Sequence, residues 1–344
     1  MNSVKRSFGR LAAAVLLAVS GVPAFAQSWD QVVAAAEKEG KLTLYHNIRP
    51  AGIEVILQKF RGKFPKIQTE QVRLGSGPLN ERFSTEFASG RNIADVLITY
   101  ADEGLMKTAG ERFAEWQPPE FDGNFPPGIR IDNRLFVLQQ AREVIIWNRG
   151  LVTDADAPTE WSDLFDPKWK GKVALNTPWR SISVQQLFAY WDDIGLKDAA
   201  ERMKANEVRF FEGSSGVIQA VIRGDVAIAH ATDIPLNPML EDGAPIGFIY
   251  PKSGTTTSDA FAAVAVKAPH PNVGRVFVNW LMSKDGQKEL LEQGGLSVTR
   301  NDAPALSKIP ATKDLPKVVD GAKILTAERQ KAMIEHWRKV FGVK

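Results

Sequence analysis

The chain has 344 residues, a formal net charge of +3 and no cysteine. This length is about twice that of a typical domain, so two lobes are expected. The absence of cysteine excludes disulfide bonds and thiolate metal ligands, and the lack of a basic block or an aromatic-basic stripe argues against nucleic-acid binding.

The amino terminus is typical of a secretory signal peptide. A basic segment with Lys5, Arg6 and Arg10 precedes an apolar run at 11–22 that is too short to span a membrane. The A-x-A pattern that ends at Ala26 predicts cleavage there, and removal of the three positive charges leaves a formally neutral chain. With no cysteine to carry a lipid, we predict a protein exported to the periplasm, cleaved after Ala26 and without a lipid anchor.

The segment that follows the leader alternates helices and strands. The hydrophobic pattern predicts a helix at 29–39 and strands at 41–45, 67–74 and 94–98, separated by amphipathic helices. Residues 134–148 then read as one long extended segment. This order at these lengths predicts a parallel sheet with right-handed crossovers, and therefore an α/β fold.

The second half of the chain continues this alternation around one compressed stretch, PTEWSDLFDPKWKGKVALNTPWRSIS at 158–183. Thr159 is expected to cap a short helix there, which Asp166-Pro167 ends because proline lacks an N–H donor. A polar loop at 176–181 then joins a short strand to an amphipathic helix. Later strands are predicted at 208–211, 224–230, 246–250 and 258–266, and a last amphipathic helix at 323–341.

Two stretches resemble a known family. The segment PTEWSDLFDPKWKGKVA at 158–174 is very similar to the P-T-x-W-x-D-L-x-x-P-x-W-K-G-K segment of ferric-type extracellular solute-binding proteins, the capture subunits of ABC importers. The run AVKAPHPNVGRVFVNWLMSKDGQKEL at 265–290 is the second resemblance. Members of this group take up iron(III), thiamine, phosphonates, sugar phosphates and polyamines, so the resemblance indicates the fold but not the ligand.

The resemblance implies a type II periplasmic binding protein, with two α/β lobes joined by two crossing hinge strands at 134–148 and 258–266. It also implies two partners, an ABC permease and its ATPase in the inner membrane, and a monomer is expected. The predicted division is a signal peptide at 1–26, lobe one at 27–138 and 259–305, lobe two at 139–258, and a C-terminal helical segment near lobe two at 306–344.

Iron(III) prefers hard oxygen ligands, and the ferric binders of this family supply paired tyrosines just after the strand that corresponds to 224–230. This chain has the residues ATDIP at 231–235 instead. The departure argues against a tyrosine-type iron site, although a ferric ion or chelate held by carboxylates remains the alternative. The four tyrosines of the chain, none adjacent to another, are Tyr45, Tyr100, Tyr190 and Tyr250.

Catalytic motifs are not evident. The chain has no P-loop, no HExxH sequence and no dinucleotide fingerprint, and GSSG at 213–216 lacks the spacing of a nucleophile elbow. The four histidines lie far apart and lack metal-ligand spacing. We therefore predict a binding protein rather than an enzyme, with no cofactor and no metal. A periplasmic hydrolase or transferase on the same fold is the alternative from another class.

The candidate ligand site consists of polar loops at the carboxyl ends of the predicted strands, where open α/β sheets bind ligands. Lobe one is expected to contribute Tyr45, His46, Asn47, Arg49, Gly75, Ser76, Gly77, Thr99 and Tyr100. Lobe two is expected to contribute Thr177, Trp179, Arg180, Ser181, Ser214, His230 and Asp233, with Ser215 beside them.

Backbone and side-chain donors in these loops point to an anion. Residues 75–77 precede a helix predicted to begin at Pro78, so N–H groups and the positive helix end would face the cleft. Arg49 and Arg180 can bind a carboxylate or phosphate bidentately. We therefore predict that a small anionic organic solute contacts both lobes and closes the hinge, because only differential affinity shifts an open–closed equilibrium.

Simpler interpretations compete with these assignments. Tyr45 and Trp179 can instead pack within the lobes, and Asp233 can pair with an arginine. The competing ligand is a cation such as a polyamine or thiamine, for which Asp102, Asp233 and Asp259 would supply the carboxylates.

Overall fold

The computed structural model describes residues 27–48, 50–121, 123–125, 129–294, 300–302, 306–310, 314–315 and 317–343. The predicted signal peptide and Arg49 lie outside this part of the chain. Strands and helices alternate through the described residues, which confirms the predicted α/β class.

Eleven strands in the described ranges form one mixed sheet. Its order is β2-β1-β3-β10-β5-β8-β6-β7, and β4 and β9 pair with β5 while β11 pairs with β10. The strands are β1 Lys41–His46, β2 Gln68–Arg73, β3 Val96–Tyr100, β4 Arg130–Ile131, β5 Leu135–Asn148, β6 Val173–Asn176, β7 Arg209–Phe211, β8 Ile228–Thr232, β9 Ile246–Ile249, β10 Thr255–Val264 and β11 Val318–Asp320.

Helices cover both faces of this sheet. None of those in the described residues is long and apolar enough to cross a membrane. The predicted helix at 323–341 is divided between the last two of them. The helices are α1 Trp29–Glu39, α2 Pro50–Lys63, α3 Ser76–Ala88, α4 Glu103–Lys107, α5 Ala109–Arg112, α6 Ile182–Asp193, α7 Ala199–Ala205, α8 Gly213–Ile222, α9 Leu236–Glu241, α10 Pro271–Met282, α11 Lys284–Glu289, α12 Gly321–Ile324 and α13 Ala327–Phe341.

Strand β5 joins the two halves of the sheet. In one half β1 pairs parallel with β2 and β3, and in the other β6 pairs parallel with β7 and β8. Residues 136–142 of β5 pair antiparallel with β10, whereas residues 143–147 pair antiparallel with β8. We call the half around β1, β2 and β3 lobe one and the half around β6, β7 and β8 lobe two.

Each lobe has an apolar core on both faces of its half-sheet. In lobe one, Leu42 and Leu44 of β1 belong to one core and Tyr45 belongs to the other, as strand alternation requires. In lobe two, Val173 and Ala174 of β6 are divided between two cores in the same way. Because both faces are covered, ligand contacts are left to the loops at the strand ends.

Two helices begin earlier than the hydrophobic pattern predicts. Helix α3 begins at Ser76 rather than Pro78, with Gly75 as its N-cap, and α8 begins at Gly213, whereas the apolar pattern of this helix starts only at Val217. Glycine and serine are weak helix formers, so these first turns carry little sequence signal. The polar residues therefore belong to helix N-termini rather than to free loops.

The stretch at 158–183 contains 3₁₀ turns where a capped helix was predicted. One 3₁₀ helix spans Trp161–Phe165, and its N-cap is Glu160 rather than Thr159. The cause is Asp163, whose carboxylate accepts hydrogen bonds from the backbone N–H groups of Thr159 and Glu160, at 2.7 and 3.0 Å.

Candidate functional site

A cavity of about 430 Å³ lies between the two lobes. Apart from Gln139 of β5, its lining residues lie at or just after the carboxyl ends of six strands, β1, β2 and β3 from lobe one and β6, β7 and β8 from lobe two. Ligands bind at such strand ends in open α/β sheets. The cavity is therefore the candidate ligand site.

The lobes touch each other at the edge of this cavity. The Ser76 hydroxyl accepts a hydrogen bond from the backbone N–H of Ile182 at 3.0 Å. A Cβ atom on Gly75 would lie 2.9 Å from the carbonyl oxygen of Arg180, so this close approach requires glycine. The structure therefore has the cleft closed at this point.

A more open groove of about 830 Å³ lies beyond this contact, and residues of α3, α4 and α13 border it. Gly77 and Trp179 line this groove rather than the cavity, and Trp179 packs edge-on against Phe210, with ring centroids 5.1 Å apart. Strand ends from both lobes and three helix N-termini meet at the smaller cavity, which is therefore the better candidate for the ligand site.

The N-termini of α3, α6 and α8 converge on the cavity. Their N-caps are Gly75, Ser181 and Glu212, and first-turn residues of all three helices line the cavity wall. The first N–H groups of a helix have no acceptor within the helix and carry a partial positive charge. This backbone arrangement favours a negatively charged group.

The charged side chains at the cavity add to this preference. Arg180 Nη1 lies 2.7 Å from Glu212 Oε1, and Arg73 Nε donates to the carbonyl of Ile48 at 2.8 Å. Each guanidinium has five N–H donors, so both can still bind a ligand. Glu212 is the only carboxylate among the described lining residues, so two arginines face one glutamate.

The cavity brings together predicted residues from both lobes. Among them Thr177 Oγ1 donates to the carbonyl of Phe211 at 3.0 Å. Burial and the nearby carboxylates of Glu143 and Asp233 raise the pKa of Tyr100, so its hydroxyl stays protonated. Contact of these residues with a ligand remains a prediction. The predicted residues that line the cavity are Asn47, Gly75, Ser76, Tyr100, Thr177, Arg180, Ser181, Ser214 and Ser215.

Tyr45 does not line the cavity, contrary to expectation. Its ring is fully buried in the core beside α3, and its hydroxyl donates to Glu86 Oε2 at 2.9 Å. Burial, followed by the Glu86 carboxylate, raises the pKa of Tyr45 to about 12. The side chain is therefore a packed and neutral phenol, as in the packing interpretation of the sequence.

His46 and Thr99 are also buried away from the cavity. His46 Nε2 lies 2.6 Å from Gln71 Oε1 on the neighbouring strand β2. Burial lowers the pKa of His46 to about 4, so the imidazole is neutral at neutral pH. Thr99 lies inside the sheet, opposite Phe261 of β10.

His230 and Asp233 likewise lie in buried side-chain networks. His230 Nε2 lies 2.5 Å from Glu143 Oε2, and both side chains are fully buried. Asp233 forms an ion pair with Arg142 at 2.5 Å and accepts a hydrogen bond from the Tyr250 hydroxyl at 2.7 Å. These contacts hold β5 against β8. Asp233 thus pairs with an arginine, as in the simpler interpretation of the sequence.

The sequence predictions omitted several residues that the structure places at the cavity. Arg73 and Asn176 end β2 and β6, so the strand-end rule could have found them once the strand bounds were known. Gln139 lies in the middle of β5, where its only signal is a polar side chain in a largely apolar strand. The other omitted polar residues are Ser183, Glu212 and Thr232.

Metal-ligand clusters are not found in the described part of the chain. No three histidine, aspartate or glutamate side chains come together there as potential ligands. Of the four tyrosines, all of which the structure describes, Tyr100 alone lines the cavity.

Comparison with known proteins agrees with this architecture. The family described as "Bacterial extracellular solute-binding protein" matches residues 56–318. The "Putative 2-aminoethylphosphonate-binding periplasmic protein" of Salmonella typhimurium is 25% identical over 305 residues, which cover 85% of each chain.

Two solved structures show the same fold. The periplasmic binding protein AfuA from Actinobacillus pleuropneumoniae, with fructose-6-phosphate bound, has a TM-score of 0.75 and 20% identity, over 89% of this chain and 99% of its own. Iron-bound HitA from Pseudomonas aeruginosa has a TM-score of 0.72 and 22% identity, over 86% of this chain and 99% of its own.

Proposed function

Because the chain belongs to the family of bacterial extracellular solute-binding proteins, we propose that it captures a small anionic organic solute in the cavity between its lobes. The observation that carries the proposal is the convergence of three helix N-termini and two arginines on a cavity with one described carboxylate. Oriented N–H donors and guanidinium groups bind phosphate, phosphonate and carboxylate groups.

Capture follows from contact with both lobes. A solute held between the N-terminus of α3 in lobe one and those of α6 and α8 in lobe two stabilises the closed form more than the open form. Strands β5 and β10 lie between the two halves and would act as the hinge. In the periplasm, the closed protein would then deliver its solute to an ABC permease and its ATPase.

The ligands named for two of the similar proteins support an organic anion as the ligand of this chain. One is named for 2-aminoethylphosphonate, and another was solved with fructose-6-phosphate bound. Both compounds carry a phosphonate or phosphate group on a small organic body. A cavity of about 430 Å³ is within the size range of small-molecule sites.

The proposal is tested by a thermal-shift screen of phosphonates, phosphates, carboxylates, polyamines and ferric salts. We expect the hits to be organic anions, because helix N-termini and arginines dominate the cavity. Small-angle scattering with the best hit at saturation should give a smaller radius of gyration than that of the free protein. Hits confined to polyamines would contradict the anion assignment. An unchanged radius of gyration together with tight binding would contradict hinge closure but not solute binding.

Charge changes at Arg180 and Glu212 should act in opposite directions. We expect Arg180→Gln to lower the affinity for the best anion about tenfold, since a charge-assisted hydrogen bond is lost from a side chain that is 42% exposed. Glu212→Gln should raise the affinity for the same anion about two- to fivefold, because it removes the carboxylate that repels the ligand. Isothermal calorimetry at low and high salt measures both effects, which should shrink as salt increases.

Arg209→Gln is the matched control for this pair. Arg209 lies on β7 near the cavity, but its guanidinium donates to the carbonyl of Asp225 and does not line the cavity. Its replacement should leave the affinity unchanged within about twofold. Equal affinities for the Arg180→Gln, Glu212→Gln and Arg209→Gln variants would rule out the proposed role of this charge pair.

Iron(III) is the second candidate, because iron-bound HitA has the same fold. The tyrosines here are not arranged as a pair: Tyr45 and Tyr250 are bonded to Glu86 and Asp233, and Tyr100 lines the cavity by itself. We therefore expect no tyrosinate-to-iron charge-transfer band after ferric citrate is added to the free protein. A strong visible band that disappears in Tyr100→Phe would place iron(III) first among the candidate ligands.

A further inference from the structure

Gln139 is a buried polar side chain at the cavity wall. It lies in β5, where Leu135, Phe136, Val137 and Leu138 precede it, and only 2% of its surface is exposed. It nevertheless belongs to the residues that line the interlobe cavity. A glutamine in this position is therefore in contact with the space that the solute would occupy.

The carbonyl oxygen of the Gln139 side chain has no partner. Oε1 is buried and forms no hydrogen bond with the described residues. The side chain also partly offsets the raised pKa of the Tyr100 hydroxyl, so the two side chains lie close together. Gln139 therefore leaves an acceptor unpaired at the cavity wall, beside Tyr100.

A buried acceptor without a partner costs about 1–3 kcal/mol. Nearly all such groups in folded proteins have a protein or water donor. Oε1 belongs to a residue of the cavity wall, so a molecule in the cavity can supply the missing donor. Nearby carboxylates also favour a hydrogen-bond donor, rather than an acceptor, at this part of the cavity. The negative charges of Glu143, Asp233 and Asp259 all raise the pKa of the adjacent Tyr100 hydroxyl.

We propose that Gln139 is a specificity-determining residue whose Oε1 accepts a hydrogen bond from an N–H or O–H group of the solute. The solute would then be a small organic anion that also carries a protonated amine or a hydroxyl. This inference rests on the proposed function, because the helix N-termini must hold the anionic group while Gln139 contacts the second group.

The test uses three sets of compounds that differ only in the second group. The phosphonate set is 2-aminoethylphosphonate, 2-hydroxyethylphosphonate and propylphosphonate, in which an amine, a hydroxyl or a methyl group occupies the same place. The corresponding phosphates and carboxylates form the other sets. In the wild-type protein, calorimetry should show that a donor compound binds about ten- to a hundredfold more tightly than its methyl analogue. The amine and hydroxyl members identify which donor is preferred.

Gln139→Met and Gln140→Met form a matched pair of variants. Gln140 is the next residue of the same strand and is exposed on its other face. Gln139→Met should reduce the preference for the donor compound to about twofold. Most of this change should come from a lower affinity for the donor compound, while the affinity for the methyl analogue is unchanged. Gln140→Met should keep the wild-type preference.

The outcomes separate this inference from the proposed function. If anions bind but the methyl analogue binds as tightly as the donor compounds, Gln139 does not select a donor, although anion capture stands. Preservation of the donor preference in Gln139→Met would overturn the inference in the same way. If no phosphonate, phosphate or carboxylate of the three sets binds, the proposed function fails and this inference fails with it.

Discussion

Replacement of Asp233 by alanine is expected to lower the free energy of unfolding by about 3–5 kcal/mol. The Asp233 carboxylate is fully buried and Arg142, its partner at 2.5 Å, is 6% exposed. Its other oxygen accepts a hydrogen bond from the backbone N–H of Arg142 at 3.0 Å. Removal of the carboxylate takes a buried ion-pair partner and a backbone hydrogen-bond acceptor away from Arg142, between β5 and β8.

Urea unfolding of the ligand-free protein measures this effect, and Asp225→Ala is the control. Asp225 pairs with Arg223 at the surface, where the two side chains are 36% and 56% exposed, so its loss should cost no more than about 1 kcal/mol. The double variant Arg142→Met with Asp233→Leu should recover much of the stability, since apolar replacement of a buried pair removes both desolvation costs.

The same variant also tests the cationic-ligand interpretation. If Asp233 bound a ligand cation, its replacement would abolish binding and cost little stability. An Asp233→Ala protein that unfolds at the same urea concentration as Asp225→Ala, while losing affinity for a polyamine, would assign the residue to the ligand site. The fully buried ion pair leads us to expect the opposite result.

His46 should make the protein less stable as the pH falls from about 6.5 to about 4. Burial lowers its pKa in the folded state to about 4, from an ordinary value of 6.5. Between these values the unfolded chain binds a proton at His46 and the folded chain does not, so acid favours unfolding. At pH 4.5 the loss attributable to this residue is about 2–3 kcal/mol, and it should level off below pH 4, where the folded chain also becomes protonated at His46.

His46→Gln should reduce the loss of stability between pH 7 and pH 4.5 by this amount, because glutamine does not titrate. The unfolding free energy is measured with urea at pH 4.5, 5.5 and 7. His336→Gln is the control, since this histidine lies on the surface, 45% exposed, beside Glu201. A His46→Gln protein with the same pH dependence as His336→Gln would show that burial of His46 does not control acid stability.

Local sequence signals were sufficient for many elements of the fold. The helix predicted at 29–39 is α1, because its signals are local: Ser28 accepts a hydrogen bond from the N–H of Gln31, and Gly40 ends the helix at a φ of 67°. The alternation of strands and helices also followed from hydrophobic periodicity. It placed the polar loops at the carboxyl ends of the strands, where the cavity lies.

The sequence could not distinguish residues near the same strand ends. Tyr45 and Tyr100 lie within the last two positions of β1 and β3, but Tyr45 packs against α3 and Tyr100 lines the cavity. Alternation along a strand divides its side chains into two sets. Which set meets a helix, and how far the last residue reaches beyond the sheet, depends on the packing of neighbouring elements.

Pairs that are distant in sequence depended entirely on the tertiary structure. Asp233 and Arg142 are 91 residues apart, and they meet because β5 crosses into lobe two and pairs with β8. Gln139 reaches the cavity for a related reason, since it lies on β5 just before the strand changes partners from β10 to β8. Periodicity reports the local conformation of a segment, whereas the neighbour of a buried polar group is set by strand order and register.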